Sequence, residues 1–204
     1  MRLYQMQDSG NCYKVRLLAR QLGLPLELVD IDILKGESRT EDFLARNPNG
    51  RVPTLELDDG RFLAESDAIL FYLAEGSPFL PTDRLARAEA LQWMFFEQYS
   101  HEPYIAVARF WWTIKPGGRE ERKDRFAEWH ERGHQALAVM ERHLASHGWF
   151  AGGAYSVADI ALYAYTHVAH EGAFDLAPYA ALKDWMDRVR SVPNHVPMDW
   201  RPPV

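Results

Sequence analysis

The sequence predicts an α+β N-terminal domain followed by an all-helical C-terminal domain. Three observations along the 204 residues predict it. Up to about residue 77, short apolar runs of β character alternate with short runs of helical period. Beyond that point apolar residues recur every three or four positions over long stretches. An Asp58-Asp59-Gly60 turn between two short β runs marks a hairpin just before the change.

The elements follow in order. Residues 2–5 (RLYQ) form a short strand, broken by QDSGN. Residues 12–22 carry Val15, Leu18 and Leu22 on one helical face. Residues 26–33 (LELVDIDI) alternate apolar and acidic side chains, the period of a strand. Residues 40–45 are a short helix ended by Asn47-Pro48-Asn49-Gly50, the hairpin joins 54–57 to 61–64, and a helix runs from Ser66 through Ala74. The order is β-α-β-α-β-β-α. Four helical segments follow: 85–110 as one long segment in which Pro103 is the candidate site of a kink or break, 119–147, 156–170 and 179–189. Pro193, Pro197, Pro202 and Pro203 make the tail irregular. Ser156 and Asp159 have the spacing of a capping box, with Tyr155 and Ile160 at the hydrophobic-staple positions.

Composition narrows the function. Apolar residues make up 47% of the chain, enough buried surface to offset chain entropy, so disorder is excluded as the main state. One cysteine cannot close an intrachain disulfide, which excludes a disulfide-stapled scaffold. The first 20 residues lack the apolar core of a secretory signal, and no apolar run reaches the ~18 residues of a membrane span. A net charge of −6 without a basic block is a poor match to a phosphate backbone. The expectation is a cytoplasmic protein with a small-molecule or protein partner and no nucleic-acid or membrane partner.

Three pieces of the N-terminal domain carry chemistry. Ser9-Gly10-Asn11-Cys12 lies between the first strand and the first helix. First-turn amides lack intrahelical acceptors, and the helix dipole favours an anion there. Ser9 and Asn11 can each donate a hydrogen bond, and a thiolate at such a site has its pKa lowered from the ordinary ~8.5. Simple capping is the alternative. Val52-Pro53 precedes a strand; cis bonds are only about 5–6% of X–Pro bonds, so the residues alone argue for trans. Glu65-Ser66 opens another helix: Ser66 as N-cap could receive a carboxylate, with Glu65 beside it taking an ammonium group.

In this order and spacing the three pieces resemble the cytosolic glutathione transferase family. The resemblance spans nearly the whole chain. It implies a thioredoxin-like domain over residues 1–77 and an all-helical bundle over 84–204 that contains the Ser156–Asp159 capping box. It implies that Pro53 is cis, that Val52 pairs with the glutathione backbone, and that Glu65 and Ser66 hold the γ-glutamyl end. Ser9, Asn11 and Cys12 become the thiol-activating candidates, while Arg51 and Lys35 are candidates for a glutathione carboxylate. Tyr104 and Trp111 fall on the helix that lines the second-substrate site in relatives, and Glu97 is a candidate contact to a neighbouring subunit's glutathione. Glutathione is the implied co-substrate, without a metal, and a homodimer is the implied assembly.

The chain departs from several classes of the family. Tyr4 lies inside the first strand, not at its end where the tyrosine-type classes place theirs. The bacterial beta class has cysteine where this chain has Asn11; Cys12 comes one residue later. The zeta-class isomerases read Ser-Ser-Cys-Ser against Ser9-Gly10-Asn11-Cys12. Ser-x-Asn looks most like bacterial nu- or theta-like members, some of which reduce disulfides with two glutathiones. The expected activity is therefore glutathione transfer to an apolar electrophile, with disulfide reduction and a non-enzymatic interaction role as alternatives. A motif from another class is His130-Glu131-Arg132-Gly133-His134, a literal H-E-x-x-H, which in zinc hydrolases sets two imidazoles on one helical face. A charged, solvated helix face is the preferred reading.

Overall fold

A computed structural model describes residues 1–202. Two compact units divide the chain: residues 1–77 together with the tail from residue 193, and residues 78–192. The tail corrects the expected boundary. It belongs to the N-terminal unit, because its backbone carbonyls are hydrogen-bonded by Gln7, Tyr13 and Arg16 there.

The N-terminal unit runs β1 (Arg2–Gln5), α1 (Gly10–Leu22), β2 (Glu27–Asp30), α2 (Glu41–Arg46), β3 (Thr54–Glu56), β4 (Phe62–Ala64) and α3 (Ser66–Leu73). The sheet order is β2-β1-β3-β4. β1 pairs parallel with β2 and antiparallel with β3, which pairs antiparallel with β4. This is the thioredoxin-like arrangement. β2 is shorter than its alternating pattern because the Asp32 carboxylate accepts from Leu34 N–H and Lys35 N–H, which turns the chain into a 3-10 turn. Leu3 and Leu55 face each other across β1 and β3, and with Val15 of α1 and Ile69 of α3 they form a fully buried core.

The pattern of α1 predicts one apolar face, yet Cys12 through Ala19 are all buried. Lys14 is covered at the start of α3, where its Nζ donates to Ser66 Oγ, and Tyr13 and Arg16 are covered by the tail. Gly23 ends α1 in the left-handed region at φ 68°, which suits a residue without a Cβ.

The second unit is helical: α4 (Arg84–Phe96), α5 (Glu102–Arg109), α6 (Gly118–Glu121), α7 (Phe126–Leu144), α8 (Val157–Thr166) and α9 (Ala180–Arg190). Pro103 does not break the helical segment. It stands within the first two positions of α5, where a missing N–H leaves no bond unmade, and the wide π turn Glu97–His101 ahead of it absorbs the change of register. The long helix expected from residue 119 begins instead at Phe126, after the short α6. The capping box at α8 is present, with Ser156 N–H donating to Asp159 Oδ2 at 2.9 Å and Ala158 N–H to Ser156 Oγ at 3.3 Å. Asp159 also accepts from Trp185 Nε1 at 2.9 Å and Phe150 N–H at 3.3 Å, so one buried carboxylate ties the start of α8 to α9. Among the described residues no helix is long and apolar enough to cross a membrane.

Candidate functional site

The N-termini of α1 and α3 meet. Ser66 Oγ, at the first residue of α3, donates to Asn11 Oδ1, at the second residue of α1, at 3.2 Å. The two positive helix ends therefore face a common region, a placement that favours an anion. Ser9 caps α1, its Oγ accepting from Cys12 N–H at 3.3 Å.

Ser66 is not the N-cap of α3. That position belongs to Glu65, which makes no side-chain cap and holds φ at 68°. A non-glycine residue there is strained by roughly 1–3 kcal/mol and is held by its surroundings. The Ser66 hydroxyl is thereby released from capping to serve Asn11 and Lys14. Beneath it, Lys14 Nζ pairs with Asp67 Oδ1 at 3.0 Å, while Asp67 Oδ2 is buried without a hydrogen-bond partner. Glu65 is exposed, and Asn49 Nδ2 reaches its Oε1 at 3.5 Å.

The Val52–Pro53 bond is cis, as the resemblance implies and against the reading from the residues alone. Asn47 sets the segment: its Nδ2 donates to Arg51 O at 2.9 Å and to Thr54 Oγ1 at 3.0 Å. Gly50 packs so closely that a Cβ would lie 2.8 Å from Ser38 O.

Cys12 does not join the cluster. It is fully buried, its Sγ accepts Met6 N–H at 3.4 Å, and burial pushes its thiol pKa up, only partly offset by hydrogen bonding from Ser9 and Met6. One residue is about 100° around a helix, so Asn11 and Cys12 point to different surroundings. Of the three thiol-activating candidates, burial argues against Cys12 as a reactive thiol. Lys35 is exposed and pairs with Asp32 at 2.9 Å at the end of its 3-10 turn. The Arg51 side chain is exposed.

Lys14, Asn47 and Asp67 are missing from the residues read out of the sequence. Asn47 is visible there only as part of a helix stop, and Lys14 only as a polar position on an amphipathic helix.

In the second unit Tyr104 on α5 is half-buried, and Trp111 is half-buried with Arg122 over its ring at 4.7 Å. Glu97 is fully buried and accepts from Gln98 Nε2 at 2.7 Å. His130 and His134 are engaged separately. His130 Nε2 bonds Gly172 O at 2.8 Å and His134 Nδ1 bonds Tyr179 Oη at 2.9 Å. Phe174 contacts both imidazoles and lies against Gly133, where a Cβ would collide with its ring. Among the described residues no group of three or more His, Cys, Asp or Glu is placed to hold a metal ion.

Residues 3–81 match the family model "Glutathione S-transferase, N-terminal domain", and residues 120–188 match "Glutathione S-transferase, C-terminal domain". The chain is 30% identical over 192 residues to the disulfide-bond oxidoreductase YfcG of Escherichia coli, covering 91% of this chain and 88% of that one. The crystal structure of a glutathione S-transferase from Pseudomonas fluorescens is 55% identical, with a TM-score of 0.94 over 97% of this chain and 98% of that one. A glutathione transferase from Burkholderia graminis, solved with two glutathione molecules bound per subunit, is 25% identical with a TM-score of 0.80, over 95% of this chain and 84% of that one.

Proposed function

The chain belongs to the glutathione S-transferase family, and from that premise we propose that its N-terminal unit binds glutathione where α1 and α3 meet and activates the bound thiol for attack on an electrophilic, mostly apolar small molecule. The Ser66–Asn11 hydrogen bond carries the reading. It joins the helix end suited to the γ-glutamyl carboxylate to the helix end suited to a thiolate, within the span of one tripeptide. The γ-glutamyl carboxylate takes the Ser66 N–H and hydroxyl. Its ammonium group takes Glu65 and the spare acceptor Asp67 Oδ2. Val52 offers its backbone to the cysteinyl residue, and Arg51 and Lys35 are the cations available to the glycyl carboxylate.

The thiol then lies by Ser9 and Asn11. The thiol proton leaves to solvent, and the Ser9 hydroxyl and the first-turn amides of α1 stabilise the anion. A hydrogen bond to a charged group is worth about 1.5–3 kcal/mol and a pKa unit about 1.4 kcal/mol, so Ser9 alone can hold the thiol one to two units lower. The sulfur lone pair attacks the electrophilic carbon and displaces its leaving group. Tyr104 and Trp111 are proposed contacts for that substrate, and the biological sense of the reaction is detoxification in the cytoplasm.

A second copy of the chain is the proposed partner. Leu85, Phe95 and Tyr99 lie along one stripe of α4 and the π turn after it, and they are 68%, 70% and 85% exposed. Exposed apolar side chains of this size suit an interface.

Similarity to YfcG favours a second reading, glutathione-dependent disulfide reduction. With Cys12 buried, no thiol of this chain would take part. The bound thiolate would attack the disulfide and expel one thiolate. A second glutathione would then release the other half, leaving oxidised glutathione.

Calorimetric titration with reduced and with oxidised glutathione is the test. Binding of the reduced form together with turnover of a chlorinated aromatic electrophile supports transfer. Preference for the oxidised form together with turnover of a dithiol-forming substrate supports reduction. Binding without either turnover leaves an interaction role, and no binding of either form overturns the proposal.

A further inference from the structure

The tail from residue 193 is fastened to the loop that carries Ser9. Gln7 Nε2 donates to Met198 O at 2.8 Å and to Trp200 O at 3.3 Å. Arg16 Nη2 donates to Met198 O at 2.7 Å and also to Gln7 O at 2.9 Å, so one buried guanidinium group holds loop and tail together. Tyr13 Oη donates to Val196 O at 2.7 Å. At the far end Arg201 Nη2 pairs with Asp30 Oδ2 at 2.7 Å, and Asp30 Oδ1 accepts from Gln5 Nε2 at 2.5 Å. Gln5 in turn accepts from Arg16 Nη1, which closes a continuous polar network. Trp200 lines a cleft together with Ala19, Leu24 and Leu26.

The sequence suits this role. Prolines at 193, 197 and 202 carry no N–H and fix φ, so the segment forms no helix and presents backbone carbonyls outward. Gln7 and Arg16 supply the donors. Gln7 sits in the turn from Met6 to Ser9, which is closed by Ser9 N–H on Met6 O at 3.1 Å. Within that turn both the Gln7 side chain and its carbonyl are occupied, two residues before Ser9.

We propose that the C-terminal tail is a positioning strap: by holding Gln7 and Arg16 it fixes the loop at residues 6–11, and through that loop it sets glutathione affinity. The proposal rests on the glutathione reading for its functional half and on the hydrogen-bond network for its structural half. Gln7, Arg16 and the tail are positioning residues, which act through Ser9 and Asn11.

The test uses two full-length variants. Gln7→Met removes the loop's donor to the tail and keeps the side-chain length. The double variant Trp200→Ala, Arg201→Ala releases the tail from its own end and leaves the loop sequence intact. Amide hydrogen exchange at residues 6–12 is read beside the KM for glutathione and kcat. The strap predicts exchange about tenfold faster in both variants and a KM about tenfold higher, with kcat at saturating glutathione little changed. A lowered melting temperature with exchange and KM both unchanged makes the tail merely structural and overturns the proposal. Faster exchange with an unchanged KM overturns its functional half. If the unsubstituted chain binds no glutathione, the glutathione reading falls by itself, and exchange still decides whether the tail holds the loop.

Discussion

Lys14 Nζ, fully buried on α1, lies 3.0 Å from Asp67 Oδ1 on α3 and 3.3 Å from Ser66 Oγ. The pair sets α3 against α1 from beneath, and the Ser66 hydroxyl is held between Lys14 and Asn11 above it.

Breaking that pair is expected to be costly. Lys14→Met leaves the Asp67 carboxylate without its cation in a site where it is mostly buried, a loss of about 3–5 kcal/mol. Denaturant unfolding should show the loss. Lys14→Met, Asp67→Leu should recover most of it, because removing both charges leaves no uncompensated ion. An unchanged midpoint in Lys14→Met would refute the assignment.

Ser9 and Cys12 should separate by their effects. Ser9→Ala is expected to raise the pKa of bound glutathione by about one to two units, seen as a shifted pH–rate profile. Cys12→Ser puts a hydroxyl into the core and should cost about 1–3 kcal/mol of stability with the same pH profile. A Cys12→Ser variant with normal stability and no activity would restore the thiol reading.

Asp159 makes stability depend on pH. Burial pushes its carboxyl from 3.8 up to about 7, against the hydrogen bonds from Trp185, Ser156 and Phe150. The folded state thus holds the proton more tightly than the unfolded chain. This contribution is fully present below about pH 4 and is lost as pH rises towards 7. Asp159→Asn cannot titrate, so its unfolding free energy should be flatter than wild type between those limits. Parallel curves for the two proteins would refute this.

The exposed stripe of α4 should govern assembly. Phe95→Glu with Tyr99→Glu places charges where apolar rings stand 70% and 85% exposed. Sedimentation should show a dimer for the wild type and a monomer for the variant, with an unchanged far-ultraviolet spectrum. A monomeric wild type would rule out the second copy as partner.

His130 and His134 should be indifferent to metal. Each imidazole is engaged by its own partner, Gly172 O or Tyr179 Oη. Adding zinc or a chelator should leave the melting temperature unchanged, whereas stoichiometric zinc in the purified protein would revive the hydrolase motif.

Local chemistry was legible in the residues. The Asp-Gly hairpin and the Ser156–Asp159 box act within a few residues and stand in the structure, while the period-two and period-3.6 patterns placed the elements in order but not all their ends. Ser9, Asn11, Glu65 and Ser66 could be named because helix starts announce themselves. The effect of proline at 103 could not be read from the residues, since it depends on whether a wide turn precedes it.

The sequence by itself determined the order of strands and helices, the approximate starts of α1 and α3, and which family the chain resembles. The tertiary structure alone decided that Asn11 faces Ser66 while Cys12, one residue on, enters the core. It decided that Lys14 is an ion-pair partner and not a solvated lysine, and that the proline-rich tail returns to α1. The physical reason is range. Capping and periodicity are interactions between near neighbours in the chain, whereas burial of a charge or a thiol depends on which distant segment covers it.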